Sequence, residues 1–236
     1  MEEFFRQNYL LLTHSFEILA AITGLVLYKK YKFVAAKYFI WFLVFVVLAE
    51  FISTYTLYID NDGYFSFLKG TVFQKNYWWG TIYWSIGSIM FFSFYFIRVL
   101  EAKSHRLILR LTSCSFLLFS VLYIIFNWEA YFTRSLTALR IFGALIIFLC
   151  AVFYFIEVLM SDKILNFYKS INFYIATTIF VWWLITTPLI FYDIYFRSVD
   201  WNFIILKWQI YLFVNIFMYS TFTFALIYCK PELKND

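Results

Sequence analysis

The sequence predicts an all-α fold: a polytopic transmembrane bundle of seven helices, one domain over residues 1–236, with the N-terminus outside and the C-terminus in the cytoplasm. Three observations predict it. Hydrophobic residues make up 64% of the chain, against roughly 45–50% in ordinary globular proteins, and a water-soluble fold has nowhere to hide that much apolar surface. Charged residues are 14%, below the typical ~25%, and they fall at intervals of one membrane span instead of along one face of amphipathic segments. Lys and Arg, finally, gather in alternate connections, which is the pattern of the positive-inside rule.

A hydrocarbon core of about 30 Å takes about 20 helical residues, and seven runs of that length can be marked in order. The first, 9–28, follows Glu2, Glu3 and Arg6 and stops at Lys29. It has no basic leader and no small-residue cleavage site close behind, so it is expected to stay in the mature protein. The second, 33–59, runs from Lys32 to the turn signal Asn61-Asp62-Gly63. The third, 80–100, opens after Tyr77-Trp78-Trp79, and the fourth, 107–126, lies between Arg106 and Trp128. The fifth, 136–159, follows Arg134 and ends before Lys163; the sixth, 171–191, follows Lys169; the seventh, 203–228, ends before Lys230. All are too long and too continuously apolar for barrel strands, which alternate over about ten residues.

With the N-terminus outside, the cytoplasmic connections and adjoining helix ends hold Lys29, Lys30, Lys32 and Lys37, then Arg98, Lys103, Arg106 and Arg110, then Lys163 and Lys169, and last Lys230 and Lys234. The outer side keeps Arg6, Lys69, Lys75, Arg134 and Arg197, with Arg140 and Lys207 just inside helices. Trp78, Trp79, Trp128, Tyr131, Tyr192, Tyr195 and Trp201 gather at the outer ends, where amphipathic rings sit at a headgroup boundary. The connection 60–79 is long and is expected to cap the outer mouth. A net charge of +5 is dispersed with no dense basic run, which argues against nucleic acid. Cys114, Cys150 and Cys229 stand singly with no CxxC spacing, so neither a disulfide framework nor a metal site is expected.

Polar side chains inside the spans carry the functional signal. An ionised group at mid-membrane costs ~2.5–3.5 kcal/mol even on the lenient insertion scale, so each needs a partner or a purpose. Glu17 lies near the middle of the first helix, three residues after His14 and on one face with it, and Ala21 and Gly24 continue that face as a small stripe. Glu50 lies in the outer half of the second helix, with a stem too short to snorkel. Arg140, about one turn into the fifth helix, is the basic candidate to pair with either acid. The sixth helix adds Thr186, Thr187 and Pro188; the seventh adds Asn215, Tyr219 and Thr223 at four-residue steps. Glu50, Arg140, Glu17, His14, Asn215, Tyr219 and Thr187 are therefore the candidate ligand-binding residues, converging on a polar pocket open to the outer side. The competing reading makes the same groups interhelical hydrogen bonds that hold the bundle. Glu157 and Asp193, nearer helix ends, read as solvated; His105, with Lys103 and Arg106, reads as a loop that contacts anionic lipid heads.

No constellation points to catalysis or to a cofactor. His14 and His105 fall on opposite sides of the membrane in this topology, and HExxH, GxSxG and glycine-rich phosphate loops are absent. A retinal protein needs a lysine near the middle of the seventh helix, which offers only Lys207 at its outer end. Trp182-Trp183-Leu184-Ile185-Thr186-Thr187-Pro188 departs from the CWxP pattern of eukaryotic receptors, and Phe96-Ile97-Arg98-Val99 is not DRY. Helices one to three and five to seven are compatible with the three-plus-one-plus-three plan of some transporters, with no sequence repeat to mark it.

In its Phe-, Tyr-, Ile- and Lys-rich usage, in Leu48-Ala49-Glu50-Phe51-Ile52 and in Asn215 with Tyr219, the chain resembles the small seven-helix integral membrane proteins of AT-rich bacterial genomes, often encoded beside histidine kinases or transcription regulators. The resemblance implies a sensory or accessory role in the bacterial plasma (inner) membrane and transfers no site. The expectation is a non-enzymatic sensor or accessory protein among membrane lipids, with a small-molecule ligand at its outer pocket and a cytoplasmic signalling partner. The alternative is a small solute or ion transporter, or one protomer of an oligomeric channel.

Overall fold

The computed structural model describes the backbone of residues 2–59, 63–195 and 201–231 and the side chains of residues 8–59, 63–191 and 203–231. Arg6, Asn61, Asp62, Tyr192, Asp193, Tyr195, Arg197, Trp201 and Lys234, which entered the reading above, lie outside the described residues in whole or in side chain. Seven long helices are present: α1 (Glu2–Val26), α2 (Ala36–Ser53), α3 (Tyr77–Val99), α4 (Lys103–Phe126), α5 (Thr137–Leu159), α6 (Ile171–Tyr195) and α7 (Trp201–Tyr228). Each is long and apolar enough to cross a membrane, and the architecture is that of an integral membrane protein. The boundaries depart from expectation chiefly at α3, which starts early enough to take up Tyr77-Trp78-Trp79. The described part of connection 60–79, residues 63–76, forms two short 3-10 turns, Ser66–Leu68 and Val72–Gln74, instead of a regular capping helix. It folds against the end of α2, where Tyr55 donates to Phe73 O at 2.6 Å, and Phe73 meets Phe132 of the short helix Trp128–Thr133 edge-on.

Six of the helices close a ring in the order α1, α2, α3, α5, α6, α7, with α7 packing back on α1. Helix α4 stands outside this ring in the groove between α3 and α5. Its buried residues are the single stripe Leu109, Ser113, Phe116 and Ser120, spaced as one helix face requires. Both serine hydroxyls donate to carbonyls of their own helix, Ser113 to Leu109 O and Ser120 to Phe116 O. The seam is therefore narrow without leaving orphan donors. The rest of α4, including Leu111, Leu118 and Ile125, is exposed, as a surface facing lipid would be. Because α4 carries the chain back outside the ring, α1–α3 and α5–α7 form two triplets of the same up-and-down order. The halves meet along two seams of parallel helices, α3 with α5 and α7 with α1. The three-plus-one-plus-three plan is thus realised as an arrangement of helices.

Small residues and aromatic pairs set the spacing. Gly24 lets α2 approach α1, with Ile40 Cγ2 3.1 Å from where a Cβ would stand. Phe39 meets Phe222 edge-on at 4.8 Å, and Phe42 stacks on Phe91 at 4.0 Å. With Ile147, Cys150, Ile175 and Ile179, all buried, these rings fill the axis through the middle of the bundle. At the end where the chain finishes, Tyr31 donates to Leu226 O and Cys229 O (2.9 and 3.0 Å), and Lys30 Nζ reaches Leu226 O and Ile227 O. These bonds satisfy the last carbonyls of α7. Burial holds the Tyr31 phenol well above its ordinary pKa, so it stays a donor, and burial lowers the Lys30 ammonium. Glu157 accepts from the backbone N–H groups of Glu101 and Ala102 (2.7 and 3.1 Å) and lies 2.8 Å from His105 Nδ1. It anchors the start of α4 instead of being merely solvated, and His105, stacked on Phe153, turns to this carboxylate and not outward to headgroups.

At Gly143 a Cβ would lie 1.9 Å from Ile89 Cδ1, so α3 and α5 approach over the absent side chain. Gly143→Ala is expected to lower unfolding stability in micelles by about 1–3 kcal/mol through overpacking. Ile89→Val deletes the clashing atom, and the double variant is expected to lose less than the sum of the two single changes; strict additivity would refute this contact.

Candidate functional site

A cavity of ≈340 Å³ lies inside the ring toward the end that carries the N-terminus. Every ring helix contributes to its wall, and α4 does not. Its charged residues are Glu17 from α1, Glu50 from α2 and Arg140 from α5. Ser53, Asn76, Tyr77 and Ser135 sit nearest the helix ends, and Tyr83, Trp84, Trp182, Tyr211, Asn215 and Tyr219 are among the other wall residues.

The charged groups are reached one helix at a time. On α1, one helical turn places His14 Nδ1 3.1 Å from Glu17 Oε2, the pair expected from the spacing. Glu17 is almost wholly buried, and Tyr219 of α7 lines the same cavity. On α2, Glu50 accepts from the Tyr83 hydroxyl of α3 at 2.6 Å. Asn76 donates to Ser53 Oγ at 2.6 Å and to Ser53 O, while Trp79 donates to Ala49 O at 2.8 Å. These three bonds pin the start of α3 to the end of α2. On α5, Arg140 Nη2 donates to the Tyr211 hydroxyl of α7 at 2.7 Å. Trp182 of α6 donates to Asn215 Oδ1 of α7 at 2.7 Å and meets Trp84 edge-on at 5.3 Å.

Five of the seven candidate residues, Glu17, Glu50, Arg140, Asn215 and Tyr219, therefore line one cavity. Two do not. His14 is joined to it through Glu17 but is not in the wall, and its Nε2 is buried without a partner among the described residues. Thr187 donates to Trp183 O of its own helix at 2.6 Å, and Thr223 likewise to Tyr219 O. The expected pairing of Arg140 with a carboxylate is not formed: neither Glu17 nor Glu50 lies within ion-pair distance, and the guanidinium goes to a phenol instead. Among the described residues no three His, Cys, Asp or Glu side chains come together as metal ligands.

Sequence reasoning overlooked α3. Residues Thr81–Ser88 form a π-helical stretch, a wide turn often found at functional sites. It brings Thr81, Tyr83, Trp84 and Ser85 to the cavity together. A Cβ at Gly87 would stand 3.0 Å from Ile82 O, so the glycine is what the widened turn requires. The available signal was the cluster of small and hydroxyl residues Gly80, Thr81, Ser85, Gly87 and Ser88 in an otherwise greasy helix.

No protein-family model, curated protein or solved structure matches the chain, so function must be argued from this geometry.

Among the described residues the Tyr83 phenol is the one hydrogen-bond donor on the Glu50 carboxylate. Tyr83→Phe is expected to cost roughly 1–2 kcal/mol of unfolding stability in micelles, and much less in a Glu50→Gln background. Equal losses in the two backgrounds would show that the bond contributes nothing specific.

Proposed function

We propose that the chain is a non-enzymatic sensor or accessory protein of the bacterial plasma membrane, with its N-terminus outside. Its outward-facing cavity binds a small ligand, and its cytoplasmic end relays occupancy to a signalling partner. The observation that carries this reading is the placement of Glu50 and Arg140, opposite charges, in the wall of one cavity inside the ring. Among the described residues neither has an ionic partner; charges so placed in an apolar bundle are costly, and a ligand site is the purpose that best accounts for them. Six helices share the wall, so a ligand that favours one packing acts on all of them. Pro188 within α6 breaks that helix's hydrogen-bond ladder one turn earlier, and the π stretch of α3 is a second place where helix geometry gives. The grip of Lys30 and Tyr31 on α7 and of Glu157 on α4 lies at the far end, where a shift would be read. Orientation rests on the excess of Lys and Arg at that end and on the aromatic residues around the cavity end.

The transporter reading draws support from two features. A second cavity, ≈640 Å³ and lined by Arg98, Glu101, Glu157 and Lys169 among others, opens at the opposite end, and the helices follow the three-plus-one-plus-three order. Phe39, Phe222, Ile147 and Ile175 are buried members of one apolar cluster and line neither cavity, which favours a binding site that ends blind.

Two measurements test these statements. In a Cys114→Ser background, a membrane-impermeant maleimide added to intact cells is expected to label Tyr64→Cys, in the connection after α2, and to reach Leu165→Cys only after permeabilisation; the reverse pattern inverts the topology. In a thermal-shift screen of small solutes against purified protein, a ligand at 100 times its dissociation constant is expected to add about 2.7 kcal/mol. Glu50→Ala and Arg140→Ala should abolish that shift; variants that keep it would place the ligand elsewhere, and saturable flux of it into liposomes would favour transport.

A further inference from the structure

Glu17, Glu50 and Arg140 do not behave alike inside the cavity. Glu17 is engaged by His14, one turn away on its own helix, a group that can carry positive charge. Among the described residues Glu50 and Arg140 each hold a neutral phenol, Tyr83 and Tyr211 respectively, and no opposite charge. A guanidinium is always charged and carries five donors in a planar fork, and its bond to Tyr211 occupies one. The carboxylate of Glu50 has lone pairs to spare beyond the bond from Tyr83. Helix α2 presents the acid and α5 the base, on different sides of a space that both line.

Resting on the cavity being the ligand site proposed above, we infer that its occupant is a small zwitterion, an ammonium and a carboxylate in one molecule such as a free amino acid, with the ammonium on Glu50 and the carboxylate on Arg140. Other charge classes fit worse. A simple cation leaves the guanidinium facing a like charge, a simple anion meets two glutamates, and a neutral solute strips water from both charges and replaces it with nothing of equal strength. Only a ligand carrying both signs answers both groups. The edge-on pair Trp84 and Trp182 gives the apolar body of such a molecule a wall, and one indole is already fixed by its bond to Asn215. The volume, ≈340 Å³, is at the lower end of the about 300–1,000 Å³ typical of ligand pockets, which favours a metabolite over a larger molecule.

The test compares molecules that differ only in charge. Leucine, isoamylamine and 4-methylpentanoate form one set, phenylalanine, phenethylamine and 3-phenylpropanoate a second, and 4-aminobutanoate, butylamine and butanoate a third. Each is titrated calorimetrically against the full chain in nanodiscs. In at least one set the zwitterion is expected to bind at least about tenfold more tightly than its amine and its acid. Loss of one charge-assisted contact, in Glu50→Gln or Arg140→Gln, should weaken that zwitterion about ten- to hundredfold, with Glu50→Gln sparing the acid and Arg140→Gln sparing the amine. The comparison within a set uses unaltered protein, so it stands even where a variant folds poorly. An amine, an acid or an uncharged solute that binds as tightly as any zwitterion and responds to the same substitutions would overturn the inference and leave the ligand cavity intact. A wider solute screen with no binder at all would overturn both.

Discussion

Hydrocarbon offers a polar group no partner, and this one constraint orders the interior of the protein. Glu17, Glu50 and Arg140 are turned inward because the outer faces of α1, α2 and α5 would leave them in lipid. Once inside, each must find donors or acceptors: Glu50 takes the Tyr83 phenol of α3, Arg140 the Tyr211 phenol of α7, and Glu17 the His14 ring of its own helix. A phenol suits this place, since its ring packs as an apolar body and its tip still makes a strong hydrogen bond. In the half that holds the cavity α2 is thus tied to α3, and both α5 and α6 to α7, while phenylalanine rings pack together in the core.

The backbone irregularity of α3 lies at the same place. Thr81, Trp84 and Ser85 share one helix face by their spacing, and with Tyr83 they line the cavity from the π stretch Thr81–Ser88, where the bare Cα of Gly87 eases a tight approach to the carbonyl of Ile82. Elsewhere the absence of a side chain does the work of positioning. Gly24 and Gly143 let α1 meet α2 and let α5 meet α3 closely, over Ile40 and Ile89.

Much of this was legible in the sequence, for physical reasons. A helix that must cross about 30 Å of hydrocarbon announces its length through hydropathy, so the seven spans emerge within a few residues of their ends. Four of the cavity residues, Glu17, Glu50, Arg140 and Asn215, were legible because a charged or amide side chain in an apolar run has little reason to be there, and Tyr219 was legible from its four-residue step after Asn215. The partners were not. Tyr83 and Tyr211 are two of 20 tyrosines, and nothing in linear order separates a phenol that holds a carboxylate from one that sits at a headgroup. The pairing of Arg140 with an acid was a reasonable expectation from charge alone, yet it depends on which helices are neighbours around the ring, and that order lies in tertiary packing. Thr187 was misjudged for a local reason: a threonine hydroxyl in a helix can turn back to the carbonyl four residues earlier, which hides its polarity from the bundle.

Helix α4 gives the ring an asymmetry that its order alone does not have. The two halves adjoin along α3 with α5 and along α7 with α1, and α4 lies as a splint across the first of these joints. At the other joint Lys30 and Tyr31, just past the end of α1, clasp the last turn of α7. The two joints are thus closed by different means, one by a whole helix laid over it and the other by a latch of two side chains at its rim.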